Sequence, residues 1–397
     1  MKVLFVHNHY RSSAPSGEDA AAKSECRLLE ENGVETFLYE KFNDDIEDSA
    51  FFKRLRLGLD CAWSRRTYDE LTGAIKKFHP DIAHIHSVHP QISPSAYAAC
   101  QEMGVPVVHT LHNYRYICPG GLLLRDGRPC EDCVGKFPVN AMLHRCYRQS
   151  ITATGALVWM IGYNRWRGTF RNLVNRFVAL TDFAASRLAA GGIPADRIEV
   201  KPNFLHDVTV RSRAPRTYAV YAGRLSAEKG VKTLISAWRS VEGIPLRVIG
   251  DGPLRAELEA MARARKCDVE FTGVLPKDEV LEAAGGALLQ VVPSECYEGC
   301  PMAILEAFAC GTPVVASRIG SLAEIVADGE TGLHFAPGDP ADLAGKVNAL
   351  VKNTEWASRM GRSARKTYLQ KYTPEMNFKM LMGIYHRARE DFETRRA

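Results

Sequence analysis

The sequence predicts an α/β protein with two doubly wound domains, each built on a parallel sheet. Short apolar runs alternate with helical stretches along the chain, as expected for buried parallel strands. This alternation starts again after Pro202, and 397 residues are too many for one typical domain. We therefore expect domains over 1–205 and 206–374, with a helix over 375–397 that packs back across the domain junction.

In the first half of the chain, the predicted strands lie at 2–6, 34–39, 81–87, 105–112 and 176–181. A helix is expected from about Asp19 to Asn32, where Gly33 would end it, because glycine readily takes the left-handed conformation after a helix. Further helices are expected in 93–104 and 182–190.

In the second half, the predicted strands lie at 217–223, 245–250, 269–273, 288–293 and 313–317. Ligands of open parallel sheets bind at the carboxyl ends of the strands. Gly17, His112, Arg224 and Glu298 each end or follow a predicted strand. The economical arrangement is a cleft shared by the two domains.

The segment 293–317, PSECYEGCPMAILEAFACGTPVVAS, places Glu298 and Glu306 on either side of a predicted helix start. Pro301 suits the first helical turn, because its missing N–H would be unpaired there. Helix starts attract anions, and carboxylates hold sugar hydroxyls. The segment predicts a site for a nucleotide sugar, whereas the plain alternative is a buried helix with solvated glutamates. The amides that would face the anion are those of Gly299, Cys300, Met302 and Ala303.

A basic loop, AGRLSAEKG at 222–230, follows the first strand of the second half. Arg224 offers a planar fork of donors, and Lys229 offers a compact charge. Both would neutralise the negative charge that develops on a nucleoside diphosphate leaving group. In isolation, the segment is also consistent with an ordinary basic surface loop.

Four motifs together resemble the retaining glycosyltransferases of family 4, which have the GT-B fold of two Rossmann-like domains facing each other across a cleft. They are G-R-L-x-x-E-K-G, G-D-G-P, E-G-x-P-x-x-x-L-E-A and G-T-P-V-V-A-S, and the similarity is densest over 218–335. The resemblance implies that Arg224 and Lys229 bind the donor diphosphate. It also implies that Glu306 holds the ribose hydroxyls and that Glu298 contacts the transferred sugar.

The first domain also resembles this family, with one departure. VHTLHN at 108–113 is similar to the strand end that carries a histidine beside the transferred sugar, which would be His112. Alone, such a histidine is more often structural. Gly17 is a weaker donor-binding candidate, because the family usually has two adjacent glycines where this chain has Ser16-Gly17. His84 and His86 share one face of a strand, where packing or acceptor contact is favoured over a metal pair.

The implied activity is transfer of a sugar, with retention, from a UDP- or GDP-sugar to a saccharide or lipid-linked saccharide acceptor, in bacterial surface polysaccharide biosynthesis. Glu298 and His112 would orient the sugar, and neither is assigned as a nucleophile. Two alternatives stay open: an epimerase or phosphorylase on the same scaffold, and a non-catalytic nucleotide-sugar-binding protein.

Four cysteines cluster with the spacing C-x11-C-x2-C-x12-C, which is typical of one branch of this family: Cys118, Cys130, Cys133 and Cys146. In a reducing compartment this pattern favours a structural metal over disulfides, and four thiolates suit tetrahedral zinc. The alternative is free thiols that hold a loop by packing. A catalytic metal is not expected, because all four ligand positions would be filled and no D-x-D pair occurs.

Two segments, 51–71 and 163–177, mix aromatic and basic residues. They predict either peripheral contact with an anionic membrane or a solvated basic face over an ordinary core. Nucleic acid is not expected as a partner, because no recognised nucleic-acid module accompanies the basic residues. With no run of eighteen apolar residues and a first strand at the N-terminus, we expect a cytoplasmic protein, peripheral on the inner membrane if these segments bind it.

Overall fold

The computed structural model describes residues 1–12, 16–46, 51–206 and 216–396, without the side chains of 51–55. The chain forms two compact units. Unit 1 comprises Met1–Leu123, Glu131–Pro202 and Asn377–Ala397, and unit 2 comprises Leu124–Cys130 and Asn203–Met376. Residues 207 and 208 of the region expected to join the domains lie outside the described residues, as do the side chains of Phe51 and Phe52 from the first aromatic-basic segment.

Unit 1 contains a six-stranded parallel sheet in the order β2-β1-β3-β4-β7-β8. β5 and β6 pair only with each other, as a short antiparallel ribbon. The strands in this part of the chain are β1 (Lys2–His9), β2 (Glu35–Phe42), β3 (Ile82–Ile85), β4 (Val107–Leu111), β5 (Leu124–Arg125), β6 (Arg128–Pro129), β7 (Arg176–Ala179) and β8 (Ile198–Val200). The predicted α/β class is confirmed.

Helices connect these strands. They are α1 (Gly17–Glu31), α2 (Phe51–Asp60), α3 (Arg65–Phe78), α4 (Ser95–Glu102), α5 (Val139–Leu143), α6 (Ile151–Trp166), α7 (Thr169–Leu173) and α8 (Asp182–Ala190), with 3-10 turns at Asn43–Asp45 and Ala195–Arg197. α1 begins where the Ser16 hydroxyl accepts a hydrogen bond from the Asp19 amide at 3.2 Å. It ends before Gly33, whose φ of 75° reverses the chain.

Unit 2 repeats the doubly wound pattern with a parallel sheet in the order β11-β10-β9-β12-β13-β14. Its strands are β9 (Tyr218–Ala222), β10 (Leu246–Ile249), β11 (Val269–Gly273), β12 (Ala287–Val292), β13 (Val314–Ser317) and β14 (Gly332–Phe335). The helices that follow are α9 (Val231–Ala237), α10 (Arg255–Ala264), α11 (Lys277–Gly286), α12 (Met302–Ala309), α13 (Gly320–Ile325), α14 (Pro340–Lys352), α15 (Thr354–Lys371) and α16 (Pro374–Arg396), with 3-10 turns at Ala227–Lys229 and Trp238–Ser240.

The last helix, α16, completes the core of unit 1. Its buried face packs against side chains from four parallel strands of the sheet, and each fully buried aliphatic or aromatic side chain contributes about 1.5–3 kcal/mol. The residues in contact are Leu381, Ile384, Tyr385 and Ala388 on the helix and Val3, Phe5, Ile82, Val108 and Val178 on the strands. In the described part of the chain, no helix combines the length and the apolar character that a bilayer span requires.

Candidate functional site

The loops that follow β9 and β12 are in direct contact in unit 2. Gly230 has a φ of 65°, and a Cβ atom at this position would overlap the carbonyl oxygen of Pro293. The Glu295 amide donates to the Glu228 carbonyl at 2.9 Å. Only glycine permits this approach. The close approach brings the basic loop beside the segment that carries Glu298.

A second glycine contact joins the loops after β9 and β10. Gly250 has a φ of 127°, and a Cβ atom there would overlap the carbonyl oxygen of Gly223. The Leu225 amide donates to the Asp251 carbonyl at 2.9 Å. The G-D-G-P motif therefore supports the strand end that carries Arg224.

Lys229 and Glu298 form an ion pair at these strand ends. Lys229 Nζ donates to Glu298 Oε1 at 2.6 Å, and the Ser294 hydroxyl donates to the same oxygen at 2.6 Å. The side chains are 29% and 13% exposed. Burial alone would raise the pKa of the Glu298 carboxyl, but the Lys229 ammonium lowers it to a net value below its usual range. The pair is therefore ionised at neutral pH.

The predicted helix start is present, one residue later than expected, and its role in binding an anion stays a prediction. α12 begins at Met302, and Pro301 is its N-cap with φ −63° and ψ 124°. The expectation that Pro301 occupies the first helical turn is therefore wrong, because its extended ψ leaves it outside the helix. The side-chain Nδ2 of Asn203 donates to the Cys300 carbonyl at 3.1 Å and supports the loop that ends at this cap. Amides in the first turn of a helix generally lack partners within the helix. Here the Ile304 amide donates to the Pro301 carbonyl at 3.1 Å, so Met302 and Ala303 are the helical residues whose amides the prediction concerns.

Glu306 is the fifth residue of α12 and is partly buried. Burial raises the pKa of its carboxyl, and nearby Lys277 only partly opposes this effect. Within the described residues, Glu306 forms no ion pair, unlike Glu298. The Arg224 side chain is exposed at the end of β9. The roles predicted for Glu306 and Arg224 in binding the donor stay predictions.

Unit 1 contains a pocket at the carboxyl end of β4. His112 lines it and lies in hydrogen-bond contact with His86, its Nε2 being 2.8 Å from His86 Nδ1. Other polar groups of its wall include Glu18, His89, Asn113 and Arg115. Gly17 begins α1, and among the residues that the structure describes a Cβ atom there would meet nothing within 4 Å, so these neighbours do not require glycine.

Sequence reasoning missed several polar residues of unit 1. Glu18 Oε2 accepts a hydrogen bond from the side-chain Nδ2 of Asn113 at 3.1 Å. Burial raises the pKa of the Glu18 carboxyl. Glu25 and Lys201 are buried and paired with each other. Their only sequence signal is a charged residue at a position where the apolar period of a helix or strand calls for a core side chain.

The four predicted zinc-ligand cysteines are only partly assembled. A Cβ atom at Gly120 would lie 3.7 Å from Cys118 Sγ and 3.8 Å from Cys146 Cβ, so these two cysteines border the same glycine. Among the described residues, the groups of three or more potential ligand atoms within 4.8 Å of one another contain histidine and carboxylate but no cysteine. Cys146 also packs against the cluster that contains Cys133. The described residues thus bring these cysteines together in pairs, and the zinc stays a prediction.

Two family models match the chain, and together they cover most of it. Glycosyltransferase Family 4 matches residues 21–207, and Glycosyl transferases group 1 matches residues 208–367. Sulfoquinovosyl transferase SQD2 of Arabidopsis thaliana is 26% identical over 318 residues, 78% of this chain and 56% of the relative. Alpha-D-kanosaminyltransferase of Streptomyces kanamyceticus is 26% identical over 343 residues, 83% of each chain. This chain spans about half the length of several curated relatives that it matches.

The solved structure of Anabaena HepE in complex with UDP and glucose has the same fold. The TM-score is 0.66 at 16% identity, with 97% of this chain and 99% of the other covered. The predicted resemblance is thus confirmed at the level of family and fold. The chain belongs to the family 4 glycosyltransferases and has the GT-B fold.

Proposed function

We propose that the protein transfers a sugar, with retention at the anomeric carbon, from a nucleoside diphosphate sugar to a saccharide or lipid-linked saccharide acceptor in bacterial surface polysaccharide biosynthesis. The observation that carries this proposal is the Lys229–Glu298 ion pair of 2.6 Å, beside the start of α12 and at the carboxyl ends of β9 and β12. Cationic and anionic groups side by side suit a ligand that is a phosphate at one end and a polyol at the other.

Each group has a proposed role. Arg224, Lys229 and the first-turn amides of α12 neutralise the diphosphate as the bond from its oxygen to the anomeric carbon breaks. Glu298 accepts hydrogen bonds from the transferred sugar, and Glu306 accepts them from the ribose. The acceptor oxygen forms the new bond to an oxocarbenium-like carbon, and its proton leaves with the diphosphate. This assignment needs no metal ion for the transfer step.

UDP is the donor nucleotide that we favour over GDP. This choice is supported by HepE, a protein of the same fold whose solved structure contains UDP and glucose. The names of the two relatives describe transfer of sulfoquinovosyl and kanosaminyl groups, so the family is not restricted to one sugar. We therefore propose that the transferred group is a hexosyl group, and we assign no particular hexose.

The test has two steps, a screen for nucleotide binding and then an assay of sugar transfer. UDP, GDP and ADP are screened for thermal stabilisation of the protein, because a ligand that binds only the folded state raises its melting temperature. A sugar nucleotide that binds is then incubated with candidate acceptors, and nucleoside diphosphate release is measured. Release that depends on the acceptor supports transfer, whereas interconversion without release indicates an epimerase. If no nucleoside diphosphate stabilises the protein, the proposal fails.

Variants link the activity to the proposed groups. Lys229→Ala and Glu298→Gln should each lower transfer by about tenfold or more, since a lost charge-assisted hydrogen bond costs about 1.5–3 kcal/mol. Lys232→Ala is the matched control, because Lys232 is 49% exposed and pairs with Glu257 in the neighbouring helices. A non-catalytic binding protein would show no transfer in any variant.

We also propose that unit 1 makes peripheral contact with an anionic membrane through α6. Three large apolar side chains of this helix are exposed, and they are seven or eight residues apart, which places them on one face: Ile151 (50%), Trp159 (50%) and Trp166 (82%). Arg167 stacks over the Trp63 ring at 4.2 Å, close to the end of the same helix. Exposed tryptophan beside arginine suits the headgroup region of a bilayer.

A further inference from the structure

A line of polar groups inside unit 1 ends at His112. Its first member is Lys201, 1% exposed, whose ammonium donates to Glu25 Oε2. The other oxygen of the same carboxylate, Glu25 Oε1, lies 3.4 Å from His86 Nε2. His86 Nδ1 then lies 2.8 Å from His112 Nε2. These residues run from the core of unit 1 to the pocket at the end of β4.

Each contact in this line has a defined direction. Glu25 Oε1 lies 3.1 Å from His84 Nδ1 and 3.4 Å from His86 Nε2, and neither contact has full hydrogen-bond geometry. His84 Nδ1 is already paired with the Tyr385 hydroxyl at 2.7 Å, whereas His86 Nε2 has no other partner within the described residues, so His86 is the group left to pair with this oxygen. An ionised carboxylate can only accept, which makes His86 Nε2 the donor. A neutral imidazole that donates from Nε2 has a bare Nδ1, so His86 Nδ1 must accept from His112 Nε2.

The electrostatics of the buried groups support the same protonation states. Burial alone would raise the pKa of the Glu25 carboxyl, but Lys201 lowers it to a net value well below the usual range. Burial, with a smaller contribution from His84, lowers the pKa of His86 to about 3. Burial also holds the pKa of His112 well below its ordinary value. At neutral pH the carboxylate is thus charged and both imidazoles are neutral.

We propose that Glu25 and His86 are positioning residues that lock His112 in the Nε2–H tautomer, so that its bare Nδ1 accepts a hydrogen bond from a hydroxyl of the transferred sugar. This inference rests on the proposed function and deepens it. It predicts that the transferred sugar carries a free hydroxyl group at the position that contacts His112. A site arranged to accept from a hydroxyl discriminates strongly against an analogue that lacks it, because the buried acceptor is then left unpaired.

A metal ion is a poorer explanation of the same cluster. Glu25, His84 and His86 have ligand atoms within 4.8 Å of one another. However, the Lys201 ammonium already contacts the carboxylate, and a second cation there would be repelled. Both nitrogens of His84 are in use, Nδ1 with the Tyr385 hydroxyl at 2.7 Å and Nε2 with the Thr110 hydroxyl at 2.8 Å.

The test is a spectroscopic measurement of the tautomer, with the full-length protein labelled with ¹⁵N-histidine. His112→Gln removes one set of signals and thereby assigns them. We expect the His112 signals of the wild type to show a protonated Nε2 and a bare Nδ1. A protonated Nδ1 in the wild type overturns the proposal, and this measurement needs no variant of the line itself.

Variants of His86 separate positioning from folding. His86→Leu removes the acceptor, so His112 should become a mixture of tautomers. His86→Asn should retain the tautomer, because its side-chain oxygen can take the place of Nδ1. His144→Leu, at an exposed position, is the control. If His86→Leu leaves the His112 tautomer unchanged, the proposed line does not set it.

Ligand binding gives a second measurement. The affinities of UDP and of UDP-glucose are measured by calorimetry for each variant. His86→Leu should weaken UDP-glucose by about three- to tenfold while leaving UDP unchanged, which is the effect of one lost neutral hydrogen bond. An equal loss for both ligands indicates a merely structural role. Failure of UDP to bind any form of the protein would count against the proposed function, and the tautomer result would stand apart from it.

Discussion

Lys229 Nζ lies 2.6 Å from Glu298 Oε1, so the cation proposed for the donor diphosphate is held by the carboxylate proposed for the transferred sugar. In the chain without ligand, each group neutralises the other. A bound diphosphate offers the ammonium a second anionic partner and leaves the carboxylate able to accept from hydroxyls. Binding at one end of the donor would thus prepare the group that meets the other end.

The coupling between these two residues can be measured with a double-mutant cycle. Lys229→Ala, Glu298→Gln and the double variant are unfolded with urea, and the transition of unit 2 is followed. We expect a coupling of about 1–3 kcal/mol at pH 7, as for partly buried, hydrogen-bonded charges. The exposed Lys232–Glu257 pair, at 2.6 Å, is the control and should give less than about 1 kcal/mol.

The same cycle has a predictable pH dependence. The folded-state pKa of Glu298 is lowered, so its contribution to stability is present above the unfolded pKa and is lost as the pH falls through the folded value. The coupling should therefore shrink when the cycle is repeated in acid. A coupling that stays constant down to full protonation of carboxylates would show that the pair is held by packing and not by charge.

Glu306 should limit stability in the ligand-free protein. Burial raises the pKa of its carboxyl, so the charged form is disfavoured by folding and stability is lost as the pH rises through the folded value. Glu306→Gln should therefore raise the melting temperature at pH 7 while weakening the binding of UDP. Calorimetry and thermal unfolding check the two effects. A variant that loses both stability and affinity would indicate that Glu306 is a packing residue.

Gly230→Ala should disrupt the candidate donor site. The added Cβ atom would overlap the Pro293 carbonyl oxygen, and the alanine would have to adopt a φ of 65°, which residues other than glycine disfavour. The two loops must therefore separate. We expect loss of UDP binding together with a destabilisation of more than about 2 kcal/mol. The control is Gly345→Ala within α14, where a Cβ atom meets nothing within 4 Å. It should be neutral or stabilising by up to about 1 kcal/mol.

The strands that the sequence predicts are those with mostly apolar runs, such as VPVVHTLH, which ends at His112, and LLQVVP before Glu298. Four strands were missed, and they lack that signal: β5 and β6 have two residues each, β8 is a half-buried IEV segment at the sheet edge, and β14 is GLHF, which contains glycine and a half-buried histidine. The basic residues of the candidate donor site, Arg224 and Lys229, were predictable because they lie in one contiguous motif. The line from Lys201 to His112 was not, because residues 176 positions apart in sequence meet only after the sheet and α1 have formed.

Membrane contact through α6 predicts binding to vesicles that contain anionic lipid. Trp166 is 82% exposed and Trp159 50% exposed, so both can enter the headgroup region without unfolding. Trp159→Ser with Trp166→Ser should reduce co-sedimentation with phosphatidylglycerol vesicles while leaving the melting temperature unchanged. Leu369→Ser, at an exposed apolar position of α15 in unit 2, is the control. Equal binding of neutral and anionic vesicles would remove the charge component of the proposal.

The structural zinc that the sequence predicts is tested by elemental analysis of the purified protein. We expect about one zinc per chain, lost in the Cys130→Ser, Cys133→Ser double variant and retained in Cys267→Ser, because four thiolates fill a tetrahedral site. The metal must draw together sulfurs that do not now lie within 4.8 Å of one another in threes. Chelation should therefore lower the melting temperature and make the four thiols reactive. A metal-free protein of unchanged stability would leave Cys118 and Cys146 as packing residues around Gly120.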